Sequence, residues 1–188
     1  MATDQGTSTR REQILDTAAT LFAERGFHGV SVHDIGAACG ISGPALYKHF
    51  AGKDDILTHA LTAISERLLA EGRARVAAAP APHQALDALI GWHIDFALGN
   101  PSLIVIQERE WSNLDSAGRK RVRSLQLDYI DVWVDTICQI RDDLDPSEVR
   151  AAVQATFGLL NSTPHSARIS ESAMRDRLTL MARSALRA

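Results

Sequence analysis

Aromatic residues and cysteines are scarce in this chain of 188 residues. Aromatic residues make up 5% of it, and Cys39 and Cys138 are its two cysteines. These two lie on separate predicted helices and do not form a metal-ligand pair, so we expect reduced thiols, no metal site and no cofactor. Hydrophobic residues nevertheless reach 45%, which is sufficient for a substantial core.

Long apolar runs are also missing. The run Leu103–Ile106 is far too short to span a bilayer. The segment Met1–Thr9 is polar and lacks the apolar stretch of a secretory signal, so we expect a disordered arm there. These features predict a cytoplasmic protein without a membrane partner.

Strand signals are lacking as well, because no segment alternates polar and apolar residues convincingly with a period of two. The prevalence of good helix formers such as alanine, leucine and arginine predicts an all-α fold of about nine helices. The clearest interruption is the Ala-Pro segment 77–82, since proline cannot continue a helix. The predicted helices span residues 9–25, 32–39, 43–50, 53–76, 83–98, 101–111, 116–141, 146–160 and 171–186.

An excess of basic charge is absent too. The net charge is −3, and residues 1–53 contain five basic and five acidic side chains. This balance argues against a protein that coats nucleic acid, and it predicts few phosphate contacts per subunit. Four basic residues nevertheless lie near the ends of predicted helices: Arg10, Arg11, Lys48 and Lys53.

The segment from Ser31 to Lys53 is typical of two short helices joined by a tight turn. Ser31 is a good N-cap residue, and Gly40 permits the left-handed conformation that ends a helix. Ser42 caps the second helix, in which Pro44 lies early, where a missing N–H costs little. Together they predict a helix-turn-helix, whose second helix enters the major groove of DNA.

Three blocks within residues 9–59 resemble, in their order and spacing, the N-terminal domain of the tetracycline-repressor (TetR) family of bacterial transcription regulators. They are ILDTAATLFAERGF (14–27), VHDIGAACGIS (32–42) and ALYKHF (45–50) followed by Lys53. The resemblance implies a ligand-responsive regulator, more commonly a repressor. It also implies a DNA-binding domain over residues 1–53 and a helical domain for effector binding and dimerisation over residues 54–188.

Ten residues at helix N-termini or near the recognition helix are candidates for contact with double-stranded DNA. They are Ser31, His33, Ser42, Gly43, Pro44, Ala45, Tyr47, Lys48, His49 and Lys53. The resemblance implies contacts with the DNA backbone for Tyr47, His49 and Lys53. Other roles stay open, because Ser31 and Ser42 can be ordinary caps, Tyr47 can fill the core, and Lys48 can lie on a solvated face.

Aromatic residues are concentrated in the predicted helices 83–98, 101–111 and 116–141, which suits an apolar ligand pocket with few polar anchors. The resemblance implies that these helices surround an effector cavity. The candidate ligand residues are Trp92, His93, Phe96, Glu110, Trp111, Tyr129 and Trp133. A plain bundle core is the alternative for each tryptophan, and a locally satisfied or exposed side chain is the alternative for His93 and Glu110. We expect a largely apolar small molecule, with a fatty acyl or acyl-CoA compound as one candidate.

The predicted helices 146–160 and 171–186 combine an apolar face with small residues. In the TetR family, the corresponding helices pair with their symmetry mates as a four-helix bundle. The resemblance therefore implies a homodimer that binds a palindromic operator. The candidate interface residues are Val149, Val153, Phe157, Leu160, Met174, Leu178 and Met181.

Catalysis is not expected from this sequence. Helical spacing scatters His93, Asp95 and Glu110, and no nucleophile lies beside them. A Gly-rich phosphate loop and metal-ligand spacing are both missing, so we predict no catalytic residues and no enzymatic activity. A second alternative is an interaction or ligand-buffering protein that has the helix-turn-helix without operator binding, which a gel shift distinguishes.

Overall fold

A computed structural model describes residues 3–187, with side chains for residues 10–186. Its described part contains ten α-helices, one short 3-10 helix and no strand, which confirms the all-α prediction. The helices are α1 (Thr3–Arg25), α2 (Val32–Ala38), α3 (Gly43–Leu46), α4 (Lys53–Ala78), α5 (Pro82–Gly99), α6 (Pro101–Arg109), α7 (Ser116–Cys138), α8 (Pro146–Leu160), α9 (Thr163–Ser166) and α10 (Glu171–Arg187). The 3-10 helix spans Trp111–Asn113.

The N-terminal segment differs from the sequence expectation. Helix α1 begins at Thr3, so the disordered arm expected over Met1–Thr9 is wrong for residues 3–9. Met1 and Ala2 lie outside the described residues. An existing helix gains one hydrogen bond for each residue that extends it, which favours extension once α1 is anchored by its buried side chains.

Two further segments depart from the predicted helices. Helix α3 ends at Leu46, because the amides of Lys48 and His49 bond to carbonyls three residues back, at 3.3 and 2.9 Å. These bonds form a tight turn where a longer helix was expected. The connection 161–170, expected to be irregular, contains the short helix α9, with Pro164 in its first turn.

The chain divides into two compact units. The first extends to Ile64 and includes Ser102–Val122. Its core contains the buried side chains of Phe22, Phe27, Ile35, Leu46 and Phe50, while Val32 is partly buried. Ile106, Leu114 and Val122 belong to the same cluster. A segment that lies outside the predicted DNA-binding range thus contributes to the core of the first unit.

The second unit comprises Ser65–Pro101 and Arg123–Ala188. In it α10 packs against α8 and α5, burying Leu178 and Ala182 of α10 and Val149 and Val153 of α8. Arg183 Nε donates to Asp87 Oδ1 at 2.9 Å across the α10–α5 pair. Apolar burial of this kind is the main stabilising contribution, because exposed ion pairs add little.

Within the described residues, no single helix is both long and apolar enough to cross a membrane. The pair α5 and α6 passes a length and composition test together, but the two helices are bent by 85° at their junction. Most side chains on the inner face of α5 are buried in the second unit, as expected for the core helix of a bundle.

Candidate DNA interface and candidate effector core

The predicted helix-turn-helix is present between α2 and α3. Gly40 has a φ of +67°, which is the left-handed conformation expected at this turn. The amide of Ile41 donates to the carbonyl of Gly36 at 2.9 Å and closes the turn. Leu46 of α3 is fully buried, so the short second helix is anchored to the core by its apolar side while its first turn stays accessible.

The N-terminus of α2 is closed by a capping box. Ser31 Oγ accepts from the amide of Asp34 at 3.1 Å, and the Asp34 carboxylate accepts from the amide and hydroxyl of Ser31 at 2.8 and 2.5 Å. The hydrogen bonds from Ser31 hold the pKa of Asp34 below its usual value. The Ser31 hydroxyl is thus committed to the cap, and a carboxylate lies where a phosphate would otherwise meet the helix end.

The N-terminus of α3 is different because its first turn contains no acidic residue. Ser42 Oγ accepts from the amide of Ala45 at 3.4 Å, a long bond that leaves the hydroxyl proton free to donate. Ser42 and Pro44 are exposed, while Gly43 and Ala45 are half-buried. The partial positive charge of this helix end is therefore not offset by its own side chains.

Three of the predicted DNA-binding residues lie around one surface depression. The depression has a volume of about 510 Å³, and its lining includes Ser31, Tyr47 and Lys53. Tyr47 is 57% exposed, so core filling is not its role in this structure. Lys48 and His33 are exposed as well. The depression thus brings the Tyr47 phenol and Lys53 to one accessible surface, together with the acidic residues Asp34 and Asp54.

Two basic residues bond within the first unit. Arg11 Nη1 donates to the carbonyl of His49 at 2.5 Å, and its guanidinium lies 4.4 Å from the centroid of the Phe50 ring. Lys53 Nζ donates to the carbonyls of Phe27 and Val30 at 2.9 and 3.2 Å. From the sequence, we expected Lys53 to contact a phosphate and expected no specific role for Arg11. The structure gives both a bond to backbone that is far away in sequence, a contact that no local pattern reveals.

The second unit contains an aromatic cluster centred on His93. The imidazole stacks on Phe157 at a centroid distance of 4.5 Å and on Tyr129 at 5.9 Å. Phe96 and Trp133 meet it edge-on at 5.7 and 6.0 Å. Four predicted ligand residues are thus brought together with Phe157, a residue that the sequence predicts at the dimer interface.

Polar contacts of His93 are made inside this cluster. Its Nε2 lies 3.0 Å from Asn161 Oδ1, and its Nδ1 lies 3.4 Å from the Tyr129 hydroxyl. Burial lowers the pKa of His93 to about 4, partly offset by the bond to Asn161, and burial also raises the pKa of Tyr129. The ring is therefore a neutral hydrogen-bonding group at neutral pH. Asn161 was missed because nothing in its sequence surroundings points to residue 93.

Trp92 lies on the same helix as His93, but its ring contacts arginine side chains. Two guanidinium groups of α4 lie over its ring, that of Arg75 at 4.5 Å and that of Arg67 at 5.4 Å from the centroid. The indole is 8% exposed, and its buried Nε1 has no hydrogen-bond partner in the part of the chain described. Two guanidinium groups, of which that of Arg75 is also ion-paired with Glu71, thus meet a buried donor without a described partner at one tryptophan.

Glu110 and Trp111, the remaining predicted ligand residues, belong to the first unit. Glu110 is 6% exposed, and its carboxylate accepts from the amide of Phe27 at 3.2 Å and from Asn113 Nδ2 at 2.8 Å. Trp111 is partly buried against the core of that unit. The locally satisfied alternative therefore describes Glu110 in this structure.

Most of the predicted dimer residues are already buried within one chain. Val149, Val153, Leu160, Met174 and Leu178 are at most 7% exposed, and Phe157 is half-buried in the aromatic cluster. A fully buried side chain cannot meet a partner, so these residues form the core of the second unit. Met181 is 43% exposed and lies on the accessible side of α10.

Among the described side chains, no group of three or more histidine, cysteine, aspartate or glutamate residues lies close enough together to hold a metal ion.

Comparison with known proteins identifies the family. The sequence model described as "Bacterial regulatory proteins, tetR family" matches residues 14–60, which include the whole helix-turn-helix. The HTH-type transcriptional repressor KstR2 of Rhodococcus jostii (strain RHA1) is 30% identical over 160 residues, covering 84% of this chain and 78% of that protein. The chain belongs to the tetR family.

Solved structures of TetR-family regulators share the fold. A TetR-family transcriptional regulator from Bordetella parapertussis 12822 matches with a TM-score of 0.80 and 24% identity, over 91% of this chain and 92% of that one. The structure of AibR in complex with isovaleryl coenzyme A and operator DNA matches with a TM-score of 0.73 and 22% identity, over 92% and 97%. This TetR-family chain is thus a helix-turn-helix DNA-binding regulator, and its family consists of regulatory proteins rather than enzymes.

Proposed function

We propose that this chain is a ligand-responsive repressor that binds a palindromic operator as a homodimer and releases it when a largely apolar small molecule binds. The observation that carries the DNA-binding part is the exposed first turn of α3, which has no acidic residue. The similarity to the repressor KstR2 over most of both chains supports repression rather than activation. A regulator of this kind acts on chromosomal DNA, so we place it in the cytoplasm.

The proposed contacts to DNA centre on α3. Ser42, Gly43, Pro44 and Ala45 approach the base edges at the first turn, where small side chains permit a close approach. Tyr47 and Lys48 contact phosphates, and His49 and His33, which belong to the same unit, are further candidates for phosphate contact. We assign Ser31 to the cap of α2, because its hydroxyl is bonded to Asp34.

A gel shift with DNA from upstream of the chain's own gene tests this proposal. Tyr47→Phe removes one hydroxyl and Lys48→Met one charge, so each should weaken binding about ten-fold, while Lys48→Met should also reduce the salt dependence. Glu24→Gln on α1, an exposed position, is the matched control and should bind as the wild type does. Unchanged binding by a double variant at Tyr47 and Lys48 would refute the assignment of these contacts.

The proposed effector is an acyl compound with an anionic head group, such as an acyl-CoA. The aromatic cluster around His93 is apolar and its rings are buried against one another, so the acyl part would bind by displacing some of these side chains. Arg67 lies over the Trp92 ring and offers positive charge to the head group, while Arg75, also over this ring, is ion-paired with Glu71. AibR, a regulator of the same fold, was crystallised with isovaleryl coenzyme A, which supports an acyl-CoA as the first compound class to test.

Tryptophan fluorescence tests the effector class, because Trp92 and Trp133 lie in the second unit near the proposed site. Acyl-CoAs of increasing chain length should change the emission saturably and release the gel-shifted DNA, whereas free coenzyme A should do neither. Arg67→Gln should weaken acyl-CoA binding, and Arg73→Gln, an exposed position on the same helix, should not. If no acyl-CoA alters emission or DNA binding, this effector class is excluded.

The proposed dimer surface is the exposed side of α8 and α10. Ala151, Ala155 and Gly158 form an exposed stripe of small residues on α8, and a side chain at Gly158 would meet nothing within 4 Å. Leu180 and Met181 expose 60% and 43% of their surface on α10. Isologous pairing through this surface would present two copies of α3 about one DNA turn apart, roughly 34 Å.

A further inference from the structure

The backbone of Phe27 is held from both sides by side chains distant in sequence. Its N–H donates to Glu110 Oε1 at 3.2 Å, and its carbonyl accepts from Lys53 Nζ at 2.9 Å. Lys53 also donates to the carbonyl of Val30 at 3.2 Å, and its ammonium lies 4.4 Å from the centroid of the Phe27 ring. We refer to Lys53, Glu110 and the Phe27 backbone as the Phe27 clamp.

Loss of these hydrogen bonds would be destabilising because the groups that make them are buried. Phe27 is 3% exposed and Glu110 is 6% exposed, so an unpaired amide or carboxylate here would lack solvent to replace its partner. Asn113 Nδ2 donates to the other oxygen of Glu110 at 2.8 Å and fixes the carboxylate. Hydrogen bonds to charged groups are stronger than those between neutral groups, and both sides of the Phe27 clamp use one.

The Phe27 clamp lies directly ahead of the DNA-reading helices. Residues 27–30 form the loop between α1 and α2, and Ser31, the next residue, caps α2. Helix α2 in turn packs against α3. The position of this loop therefore determines where the helix-turn-helix begins, whereas Lys53 is the first residue of α4 and Glu110 follows α6.

We propose that Lys53 and Glu110 are positioning residues for DNA binding, which hold the loop 27–30 and thereby α2 and α3 in the orientation that fits the operator. This inference rests on the proposed function. It replaces two roles expected from the sequence, a phosphate contact for Lys53 and an effector anchor for Glu110. Two of the three N–H donors of Lys53 are committed to carbonyl groups in the unbound protein.

Salt dependence distinguishes a positioning lysine from a phosphate contact. Each phosphate that a protein neutralises contributes about 0.9 to the slope of log K against log salt concentration. Lys53→Met removes the ammonium group and retains an apolar chain against Phe27. Lys48→Met is the matched variant, because the same change is made at an exposed lysine five residues earlier. Both are measured in the full chain with a duplex from its own upstream region.

For Lys53→Met we expect DNA binding about ten-fold weaker at a given salt concentration, which corresponds to about 1.4 kcal/mol. The slope of log K against log salt concentration should stay at the wild-type value, because no phosphate contact is lost. For Lys48→Met we expect a slope lower by about 0.9 per subunit. If Lys53→Met lowers the slope as much as Lys48→Met does, Lys53 contacts a phosphate and the positioning role is refuted.

Hydrogen exchange of the DNA-free protein tests the other side of the Phe27 clamp. Glu110→Met removes both acceptor oxygens and should accelerate exchange of the Phe27 amide and weaken DNA binding about ten-fold. Glu110→Gln retains the shape and one acceptor oxygen, so it should restore part of both properties, and it remains informative if Glu110→Met does not fold. Glu24→Met, at an exposed position of α1, should leave exchange and DNA binding unchanged.

The outcomes separate this inference from the proposed function. Faster exchange at Phe27 with normal DNA binding would show a contact that stabilises the loop without positioning the recognition helix, and would overturn the inference. A wild-type chain that binds no duplex would refute the proposed function itself. The inference is supported if Lys53→Met and Glu110→Met both bind DNA more weakly, if Lys53→Met retains the wild-type salt dependence, and if the Phe27 amide of Glu110→Met exchanges faster.

Discussion

The buried imidazole of His93 has two opposite effects on stability. Its neutral form stabilises the folded protein through its contacts, whereas its low pKa destabilises the folded protein in acid. It completes the aromatic cluster, and its neutral form can donate from Nε2 to Asn161 and accept at Nδ1 from Tyr129. Because the cluster excludes water, protonation of the folded protein is unfavourable and the pKa falls to about 4. In the unfolded chain the same residue takes up a proton near its ordinary value of 6.5.

The stability of the protein should therefore fall as the pH decreases from about 6.5 to about 4, because the unfolded state binds a proton that the folded state does not. The contribution from His93 amounts to about 3 kcal/mol across this window. Urea unfolding at several pH values measures it. His93→Phe, which cannot titrate, should lose about that much less stability on acidification. Equal losses in both proteins would contradict a neutral, buried His93.

Gly72 on α4 permits the close approach of Tyr129. A Cβ at position 72 would lie 2.7 Å from Tyr129 Cε2 and 3.4 Å from Leu89 Cδ2. Gly72→Ala should therefore displace the tyrosine ring and lower the free energy of unfolding by about 1–3 kcal/mol. Gly91→Ala on α5 is the matched control, since a Cβ there meets nothing within 4 Å and should stabilise the helix slightly. Denaturant unfolding of both variants gives the comparison.

The helix ends on the two sides of the turn carry different electrostatics. The capping box of α2 brings a carboxylate to its N-terminus, whereas the first turn of α3 has no acidic side chain. A phosphate is favoured at a helix N-terminus when no other anion occupies it. At the scale of elements, we therefore expect α2 to support the motif and α3 to read the DNA.

Replacing each of the two capping serines by alanine should show that Ser31 contributes mainly to stability and Ser42 mainly to DNA binding. Ser31→Ala removes the capping box and should cost about 1 kcal/mol of stability without changing the salt dependence of DNA binding. Ser42→Ala removes a longer bond, so we expect a smaller loss of stability and weaker DNA binding. Thermal unfolding and a gel shift measure the two effects. A larger loss of stability at Ser42 than at Ser31 would reverse this division of roles.

A subunit of a dimer has apolar side chains in its own core and others on the surface that contacts its partner. On α10, Met174, Leu178 and Ala182 are buried against the second unit, whereas Leu180 and Met181 are exposed. Apolar side chains exposed on one helix next to small residues on another are typical of an interface, although single exposed apolar residues are common. The dimer is therefore expected on the outer side of α8 and α10.

Leu180→Glu should dissociate the proposed dimer, because it introduces a charge into the expected apolar contact. We expect a dissociation constant at least about ten-fold higher, measured by analytical ultracentrifugation, with the helical content unchanged. Leu127→Glu, at a residue that is 41% exposed on α7, is the control and should leave the assembly unaffected. Dissociation by Leu127→Glu but not by Leu180→Glu would place the interface elsewhere.

Sequence reasoning was sufficient for most of the helices, for the turn and for the family, although it missed α9 and misplaced the start of α1 and the end of α3. Ser31 and Ser42 were identified as caps and Gly40 as the left-handed turn residue, because these features depend on residues within a few positions of each other. Local hydrogen bonding and helical periodicity can be read from neighbouring residues, since the physics involved is short-range.

The tertiary structure alone decided which partner each side chain meets. Glu110 binds the backbone of Phe27, Lys53 binds the same residue from the other side, and Phe157 joins the His93 cluster. Each of these contacts joins residues at least 26 positions apart, so no spacing in the sequence reveals it. Burial of an apolar helix residue is favourable both in the core of its own chain and in an interface with a partner chain. Only the packing of the folded chain shows which of the two burials occurs.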